Sequence, residues 1–221
     1  MKQGFLKAAV LISGTGSNLK ALIDAIGTTR LDLNIVQVVS DRAEAAGIAH
    51  ATTAAIPVSV ISHADFPDRQ SHDAAVAKVL EQSGAELIIL AGYMRILSED
   101  FTRHFSGRMI NLHPSLLPLY KGLDTYNRVL ESGDNETGAS IHFVTAGLDS
   151  GPVIAQVKLP VLPGDDADSL KARLGPLEHK LLIATVDLFC KREITYRQDA
   201  VLFLGEIIKQ PLQLKPDGRF I

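Results

Sequence analysis

The sequence predicts an α/β fold built on one doubly wound, mainly parallel sheet. Apolar stretches of strand length alternate with helical patterns through the first half of the chain, and this alternation is typical of parallel strands joined by right-handed helical crossovers. The 221 residues, 46% of them hydrophobic, can bury a full core without metals or disulfides. We expect a single domain over residues 1–221, with a catalytic core at about 5–190 and a C-terminal extension at about 192–221.

In the first half, strands are predicted where apolar residues run continuously, and helices where they recur every three or four positions. The predicted strands are Phe5–Ser13, Asn34–Ser40, Val58–Ile61, Glu86–Ala91 and Arg108–Leu112. The predicted helices are Ser17–Ile26 with Gly27 as its stop, Ala43–Ala54, and Arg69–Ser83 closed by Gly84.

After His113 the pattern changes to a proline-rich loop followed by mixed elements. The predicted elements are a helix at Asp124–Ser132 ended by Gly133, strands at Ala139–Thr145 and Val153–Val161, a helix at Asp165–Cys190, and short strands or a hairpin that includes Ala200–Leu204. Pro176 is expected to kink or restart the long helix, because proline removes a backbone donor.

Composition excludes several classes of protein. Lysine plus arginine is 22 and aspartate plus glutamate is 25, a net charge of −3, which argues against a general nucleic-acid binder. The single cysteine, Cys190, excludes an intramolecular disulfide and is typical of a reducing compartment. No apolar stretch approaches the ~20 residues of a membrane span and no signal-peptide pattern is present, so we expect a cytoplasmic protein with no membrane partner.

The first candidate site is the loop Gly14–Asn18 (GTGSN), between a predicted strand and a predicted helix. Backbone N–H groups and the helix dipole favour an anion there. The dinucleotide motif would need glycine where Leu19 stands, and no P-loop triplet follows. The loop therefore suits one phosphate better than a pyrophosphate, and a plain strand-to-helix turn is the alternative.

The second candidate is the pair Asn111 and His113, at the end of an apolar strand. Residues two apart in a strand face the same side, and ligands of such folds bind at the carboxyl ends of strands. A carboxamide can donate to a developing oxyanion, and a histidine can move protons. The alternative is that both side chains satisfy local backbone groups.

Asp149 is the third candidate, since a carboxylate beside His113 would raise the pKa of the histidine and fix its tautomer. A turn-forming aspartate before Gly151-Pro152 is the alternative. A metal site from His113, His142 and Asp149 lacks the usual ligand spacing, and no metal is expected. Four other histidines are expected in solvent: His50, His63, His72 and His104.

Five motifs follow one another along the chain: Ser13–Leu19 (SGTGSNL), Leu90–Leu97 (LAGYMRIL), Ile110–Pro118 (INLHPSLLP), Ser140–Thr145 (SIHFVT) and Leu148–Pro152 (LDSGP). In this order they resemble the phosphoribosylglycinamide formyltransferase family, over about residues 5–190. The third motif is specific to folate formyl-transfer domains, and the first narrows the resemblance to the glycinamide ribonucleotide branch.

The resemblance implies a function for each matching residue. It implies a catalytic trio of Asn111, His113 and Asp149. It implies residues that hold the ribose phosphate and ribose of glycinamide ribonucleotide: Gly16, Ser17, Asn18 and Glu178. It implies residues that bind 10-formyltetrahydrofolate: Arg69, Met94, Arg95, Ile96, Leu97, Asn111, Thr145, Ala146 and Gly147. Some relatives have histidines at the positions of Asp124, Tyr126 and Thr137.

In the reaction so implied, a substrate amine attacks the formyl carbon, and Asn111 and protonated His113 donate to the oxygen of the tetrahedral intermediate. His113, held by Asp149, then protonates the departing folate nitrogen. The alternatives are a formyltetrahydrofolate hydrolase, a methionyl-tRNA formyltransferase and a nucleotide-binding Rossmann-like protein. The phosphate loop Gly14–Asn18 argues against the hydrolase. The acidic net charge and the expected lack of a further domain argue against the methionyl-tRNA formyltransferase. Leu19 argues against the nucleotide-binding Rossmann-like protein. Monomer and homodimer both stay open.

Overall fold

The computed structural model describes residues 4–28 and 31–221. By its internal contacts the chain divides into two compact units, Met1–Asn111 and Leu112–Ile221. The expectation of a single domain over residues 1–221 stays a prediction.

The first unit carries a parallel sheet. Its strands are β1 (Leu6–Ile12), β2 (Leu33–Ser40), β3 (Val58–Val60), β4 (Leu87–Leu90) and β5 (Met109–His113), the last two residues of which belong to the second unit. Its helices are α1 (Ser17–Thr28), α2 (Gly47–Thr53), α3 (Arg69–Ser83) and α4 (Glu99–His104). The strand order is β3-β2-β1-β4-β5 with every pairing parallel, so the predicted parallel α/β sheet is confirmed here.

Central strands of this sheet are covered on both faces. Ala8–Ile12 of β1 and Leu87–Leu90 of β4 are buried throughout, which explains why their sequences are continuous apolar runs rather than alternating ones. The parallel pairing brings the carboxyl ends of β1, β2 and β4 to one edge of the sheet, where such folds bind ligands.

Helix boundaries follow the capping residues. The Asp68 carboxylate accepts the Ser71 N–H at 2.7 Å at the start of α3, and Gly84 ends it with a φ of +67°. The boundaries of this helix therefore match the prediction. Helix α4 was not predicted, although the Ser98 hydroxyl accepts the Phe101 N–H at 3.4 Å in the same manner.

The second unit combines two sheets with two helices. Its elements are α5 (Thr125–Ser132), β6 (Glu136–Phe143), β7 (Val153–Pro160), α6 (Ala167–Cys190), β8 (Ile194–Arg197), β9 (Ala200–Phe203), β10 (Glu206–Ile207) and β11 (Leu212–Gln213). Strand β7 pairs antiparallel with β6 and parallel with β11. Strands β8, β9 and β10 form a small antiparallel sheet, so the short strands predicted for the extension are present.

Several details correct the predictions. Helix α6 runs unbroken through Pro176, because Leu170 and Leu174 before the proline and Leu181 and Leu182 after it are all buried.

Three more corrections concern the first unit. Helix α1 continues through Gly27, and α2 begins at Gly47, whose N–H donates to the Gly14 carbonyl at 2.9 Å. His72, expected in solvent, is 1% exposed and bonds through Nε2 to the Ile61 carbonyl at 3.0 Å.

Among the helices of residues 4–28 and 31–221, none is long and apolar enough to span a membrane.

Candidate active site

The loop between β1 and α1 borders a cavity of about 320 Å³ in the first unit. The cavity is lined by Ser13, Gly14, Thr15, Gly16, Ser17, Asn18, Arg42, Ala91, Gly92 and Met94. Helix α1 has 12 residues and its first turn borders the cavity, so its free N–H groups and dipole favour a bound anion. The predicted phosphate segment Gly16, Ser17 and Asn18 is therefore brought together at one cavity.

The charge of Arg42 adds to this anion-binding character, whereas the amide oxygen of Asn18 can only accept a hydrogen bond from a bound group. Among the described residues, the buried Oδ1 atom of Asn18 has no hydrogen-bond partner. The exposed side chain of Arg42, which follows β2, lies at the same cavity. Arg42 was missed in the sequence, although its position two residues after the end of a predicted parallel strand is a signal that could have identified it.

Close backbone contact fixes the shape of this loop. Gly16 has a φ of +69°, and a Cβ atom there would lie 2.5 Å from the Gly47 Cα atom. A Cβ atom on Gly47 would lie 2.8 Å from the Ile12 Cδ1 atom and 2.9 Å from the Gly16 Cα atom. The start of α2 is therefore packed directly against the loop, and both positions require glycine.

Gly47→Ala is expected to lower the free energy of unfolding by about 1–3 kcal/mol, because the added methyl group displaces backbone as well as the Ile12 side chain. Gly27→Ala is the matched control. Gly27 lies inside α1 with nothing within 4 Å of its added Cβ atom, so this change should stabilise by about 0.5–1 kcal/mol. Urea unfolding of both variants tests the contact, and equal stability of the two would contradict it.

The predicted folate-binding loop follows β4 in the same unit. Met94 and Ile96 are 60% and 59% exposed, whereas Leu97 is buried. The Met94 N–H donates to the Ser13 hydroxyl at 2.8 Å, which ties this segment to the end of β1. Two exposed apolar side chains on a tethered loop can cover an aromatic ligand.

Two arginines predicted to bind folate also lie in the first unit. Arg95 is half-buried, and within the part of the chain that the structure describes its Nε atom has no hydrogen-bond partner. Arg69 is exposed at the first position of α3. Both are compatible with an anionic ligand group.

In the second unit, Asp149 lies between two histidines. Its Oδ2 atom is 3.4 Å from His113 Nδ1, and its Oδ1 atom is 3.5 Å from His142 Nε2. The Gly122 N–H also donates to Oδ2 at 2.9 Å. The predicted proximity of Asp149 to His113 is thus present, while His142, an inward-facing residue of β6, was not assigned to the predicted site.

Hydrogen bonds to backbone carbonyls orient both imidazole rings. His113 Nε2 lies 2.9 Å from the Tyr120 carbonyl, and His142 Nδ1 lies 2.9 Å from the Phe143 carbonyl. Since a carbonyl only accepts, each of these nitrogens carries a proton and the other nitrogen of each ring faces Asp149. The Asp149 carboxylate therefore favours a proton on the facing Nδ1 atom of His113, as in an imidazolium.

Burial decides the net pKa of His113. Burial lowers the pKa below its ordinary value and outweighs the Tyr120 carbonyl and the Asp149 charge, which raise it. The predicted direction of the Asp149 effect on the pKa of His113 is therefore confirmed, although burial outweighs it. Burial also raises the pKa of Asp149, but the hydrogen bonds from His142 and Gly122 bring it below its ordinary value, so Asp149 stays ionised.

Unusual backbone conformations occur around these residues. Tyr120, Asp124 and Asp149 have φ values of 53°, 58° and 44°, in the left-handed region that costs energy for residues other than glycine. Arg128 holds the first of these turns by donating to the Lys121 carbonyl at 2.6 Å. Asn111 lies two residues before His113 on β5 and is half-buried.

The segment predicted to close over folate is exposed. Ala146 and Gly147 are exposed and Thr145 is half-buried, with its hydroxyl 3.4 Å from that of Ser150. No group of three or more histidine, cysteine, aspartate or glutamate side chains suited to a metal ion occurs within the described ranges.

Glu178 of α6 hydrogen-bonds to Tyr126 of α5. Burial raises the pKa of Glu178 to about 7, and the charge of Lys171 and the Tyr126 hydroxyl offset only part of that shift. Burial likewise raises the pKa of Tyr126. The unbroken course of α6 places Glu178 on a regular helix despite the adjacent Pro176.

The raised pKa of Glu178 predicts a pH-dependent stability. The folded state keeps this proton up to a pH of about 7, whereas the unfolded carboxyl loses it near 4.5, so stability falls as the pH rises through this window. Glu178→Gln cannot ionise and should lose less stability than the native protein between about pH 5 and about pH 8. The exposed Glu44→Gln serves as control, and equal losses in all three proteins would contradict the assignment.

Comparison with known proteins decides the family. The family model described as formyl transferase matches residues 6–186. The chain belongs to the formyl transferase family. It is 39% identical over 213 residues to the phosphoribosylglycinamide formyltransferase of Escherichia coli, covering 96% of this chain and 98% of that protein. It is 47% identical over 175 residues to the trifunctional purine biosynthetic protein adenosine-3 of Drosophila melanogaster, covering 78% of this chain but only 13% of that longer protein.

Solved structures agree with this formyl transferase fold. The phosphoribosylglycinamide formyltransferase of Coxiella burnetii superposes with a TM-score of 0.89 at 42% identity, covering 92% of this chain and 96% of that one. A formyltetrahydrofolate deformylase of Burkholderia mallei superposes with a TM-score of 0.81 at 30% identity, covering 90% of this chain and 70% of that one. The predicted α/β fold class is confirmed.

Proposed function

We propose that this formyl transferase moves the formyl group of 10-formyltetrahydrofolate to the amine of glycinamide ribonucleotide, a step of de novo purine biosynthesis. The observation that carries the proposal is the cavity at Gly14–Asn18 and the start of α1. An anion site of this kind is useful for a phosphorylated acceptor, whereas water as acceptor does not need one. The names of the relatives at 39% and 42% identity support the same substrate.

Each part of the proposed site has a separate task. Gly16, Ser17 and Asn18 hold the substrate phosphate, and Glu178 accepts a hydrogen bond from its ribose. The folate co-substrate is held by Arg69, Met94, Arg95, Ile96, Leu97, Asn111, Thr145, Ala146 and Gly147. The proposed chemistry requires no metal. We propose that the protein consists of one domain over residues 1–221. It works in the cytoplasm, without nucleic-acid or membrane partners.

Catalysis in this proposal rests on charge and proton placement. The amine nitrogen attacks the formyl carbon, and Asn111 and the imidazolium of His113 stabilise the oxyanion that forms. Asp149 offsets the cost of charging the buried His113 ring. As the carbon–nitrogen bond to folate breaks, the folate nitrogen takes a proton from His113 Nε2, whose N–H must first leave the Tyr120 carbonyl. The attacking amine nitrogen loses one proton, and its transfer to His113 restores the charged ring, so the protons balance.

The test follows loss of 10-formyltetrahydrofolate with and without glycinamide ribonucleotide. We expect turnover that depends on the ribonucleotide. Equal rates in its absence would identify a formyltetrahydrofolate hydrolase instead, the activity named for the Burkholderia mallei relative.

A further inference from the structure

The loop Ser115–Tyr120 connects His113 to the carbonyl that orients it. Besides Tyr120, which accepts from His113 Nε2 at 2.9 Å, the loop is held internally by the Ser115 hydroxyl, which donates to the Leu119 carbonyl at 2.6 Å. The ring position of His113 therefore depends on where this loop is held.

Two buried side chains on neighbouring strands hold the loop from outside. The Ser140 hydroxyl of β6 donates to the Ser115 carbonyl at 2.6 Å and accepts the Leu117 N–H at 3.0 Å. The Gln156 amide of β7 donates to the Leu117 carbonyl and to the Ser140 hydroxyl, both at 2.9 Å. Gln156 is 7% exposed, so both of its N–H donors are used inside the protein.

The C-terminal strand completes this chain of bonds. Gln213 of β11 lies opposite Gln156 in the parallel pairing, and its Nε2 atom donates to the Gln156 Oε1 atom at 3.3 Å. The Leu214 N–H also donates to the Gln156 carbonyl at 2.9 Å. With its Oε1 atom engaged by Gln213, the Gln156 amide presents its NH₂ group to the loop.

We propose that Gln156, oriented by Gln213, is a positioning residue that holds the Ser115–Tyr120 loop and thereby the ring of His113. This gives the C-terminal extension a function in catalysis through the strand β11. The kinetic part of the inference rests on the proposed formyl transfer, but the effect on His113 does not. A methionine at position 156 would fill similar space without either donor.

The experiment compares Gln156→Met and Gln213→Ala with a matched control, Gln37→Met. Gln37 is 8% exposed and its amide also makes two bonds, to the Val38 carbonyl at 2.9 Å and the Ser59 hydroxyl at 3.1 Å, within the first unit. Two quantities are measured in each full-length variant: the NMR titration midpoint of His113, and kcat against KM.

Gln156→Met should move the His113 midpoint to lower pH, because a displaced Tyr120 carbonyl no longer supports the charged ring. Its kcat should fall about tenfold to a hundredfold with KM changed less than about twofold. Gln213→Ala should show the same changes at smaller size, and Gln37→Met neither. An unshifted midpoint in Gln156→Met overturns the proposal. If Gln156→Met does not fold, an unshifted His113 midpoint in Gln213→Ala overturns the proposal. Absence of formyl transfer by the native protein would refute only the proposed function.

Discussion

His113→Ala is expected to lower kcat by about 10²- to 10⁴-fold, the range typical of a lost general acid or base. KM for both substrates should stay close to native, because the residues proposed to bind phosphate and folate are unchanged. His113 is buried beside an ionised carboxylate, and its Nε2 atom is the proton donor in the proposed mechanism. Steady-state kinetics with a folding check by circular dichroism measure the effect.

His104→Ala is the control for this change. His104 is half exposed on α4 and bonds to Glu81 at 2.7 Å, so its removal should leave kcat unchanged. Turnover of His113→Ala within about threefold of native would remove His113 from the mechanism.

Asp149→Asn is expected to lower kcat by about 10²-fold or more, because the variant cannot support the charged His113 ring. Asparagine has the shape of aspartate and tolerates the φ of 44° at this position, so folding should persist. Loss of the negative charge should also lower the pKa of His113 further, since that charge raises it in the native protein. NMR titration of His113 in native and variant protein measures this shift directly.

Asp217→Asn provides the comparison for Asp149→Asn. Asp217 makes an exposed ion pair with Arg219 at 2.6 Å, and its neutralisation should change neither kcat nor the His113 titration. A native-like His113 midpoint in Asp149→Asn would show that the 3.4 Å contact carries no electrostatic coupling.

The fold could be predicted where local signals and packing agree. Helix α3 has both a capping aspartate, Asp68, and a left-handed glycine, Gly84, and both of its ends were predicted. A restart of the helix at Pro176 does not occur, because burial on both sides of the proline overrides the local preference against helix, while a kink there stays a prediction. The short α4 was overlooked although Ser98 is a capping residue and acidic residues fill its first turn.

The candidate site could be predicted only as a set of residues. Motif order identified His113 and Asp149, but spacing along the chain does not show that His142 faces the same carboxylate from β6. The contribution of the Tyr120 carbonyl is a backbone property and has no sequence signal. The burial of His72 depends equally on tertiary packing, which periodicity on a weakly amphipathic helix does not indicate.

The most direct test of formyl transfer to an amine follows the formyl carbon itself. 10-Formyltetrahydrofolate labelled in that carbon is incubated with the protein and glycinamide ribonucleotide, and the label is located by mass spectrometry. We expect label in formylglycinamide ribonucleotide, lost in His113→Ala and retained in His104→Ala. Label recovered as formate, at the same rate with or without the ribonucleotide, would contradict it.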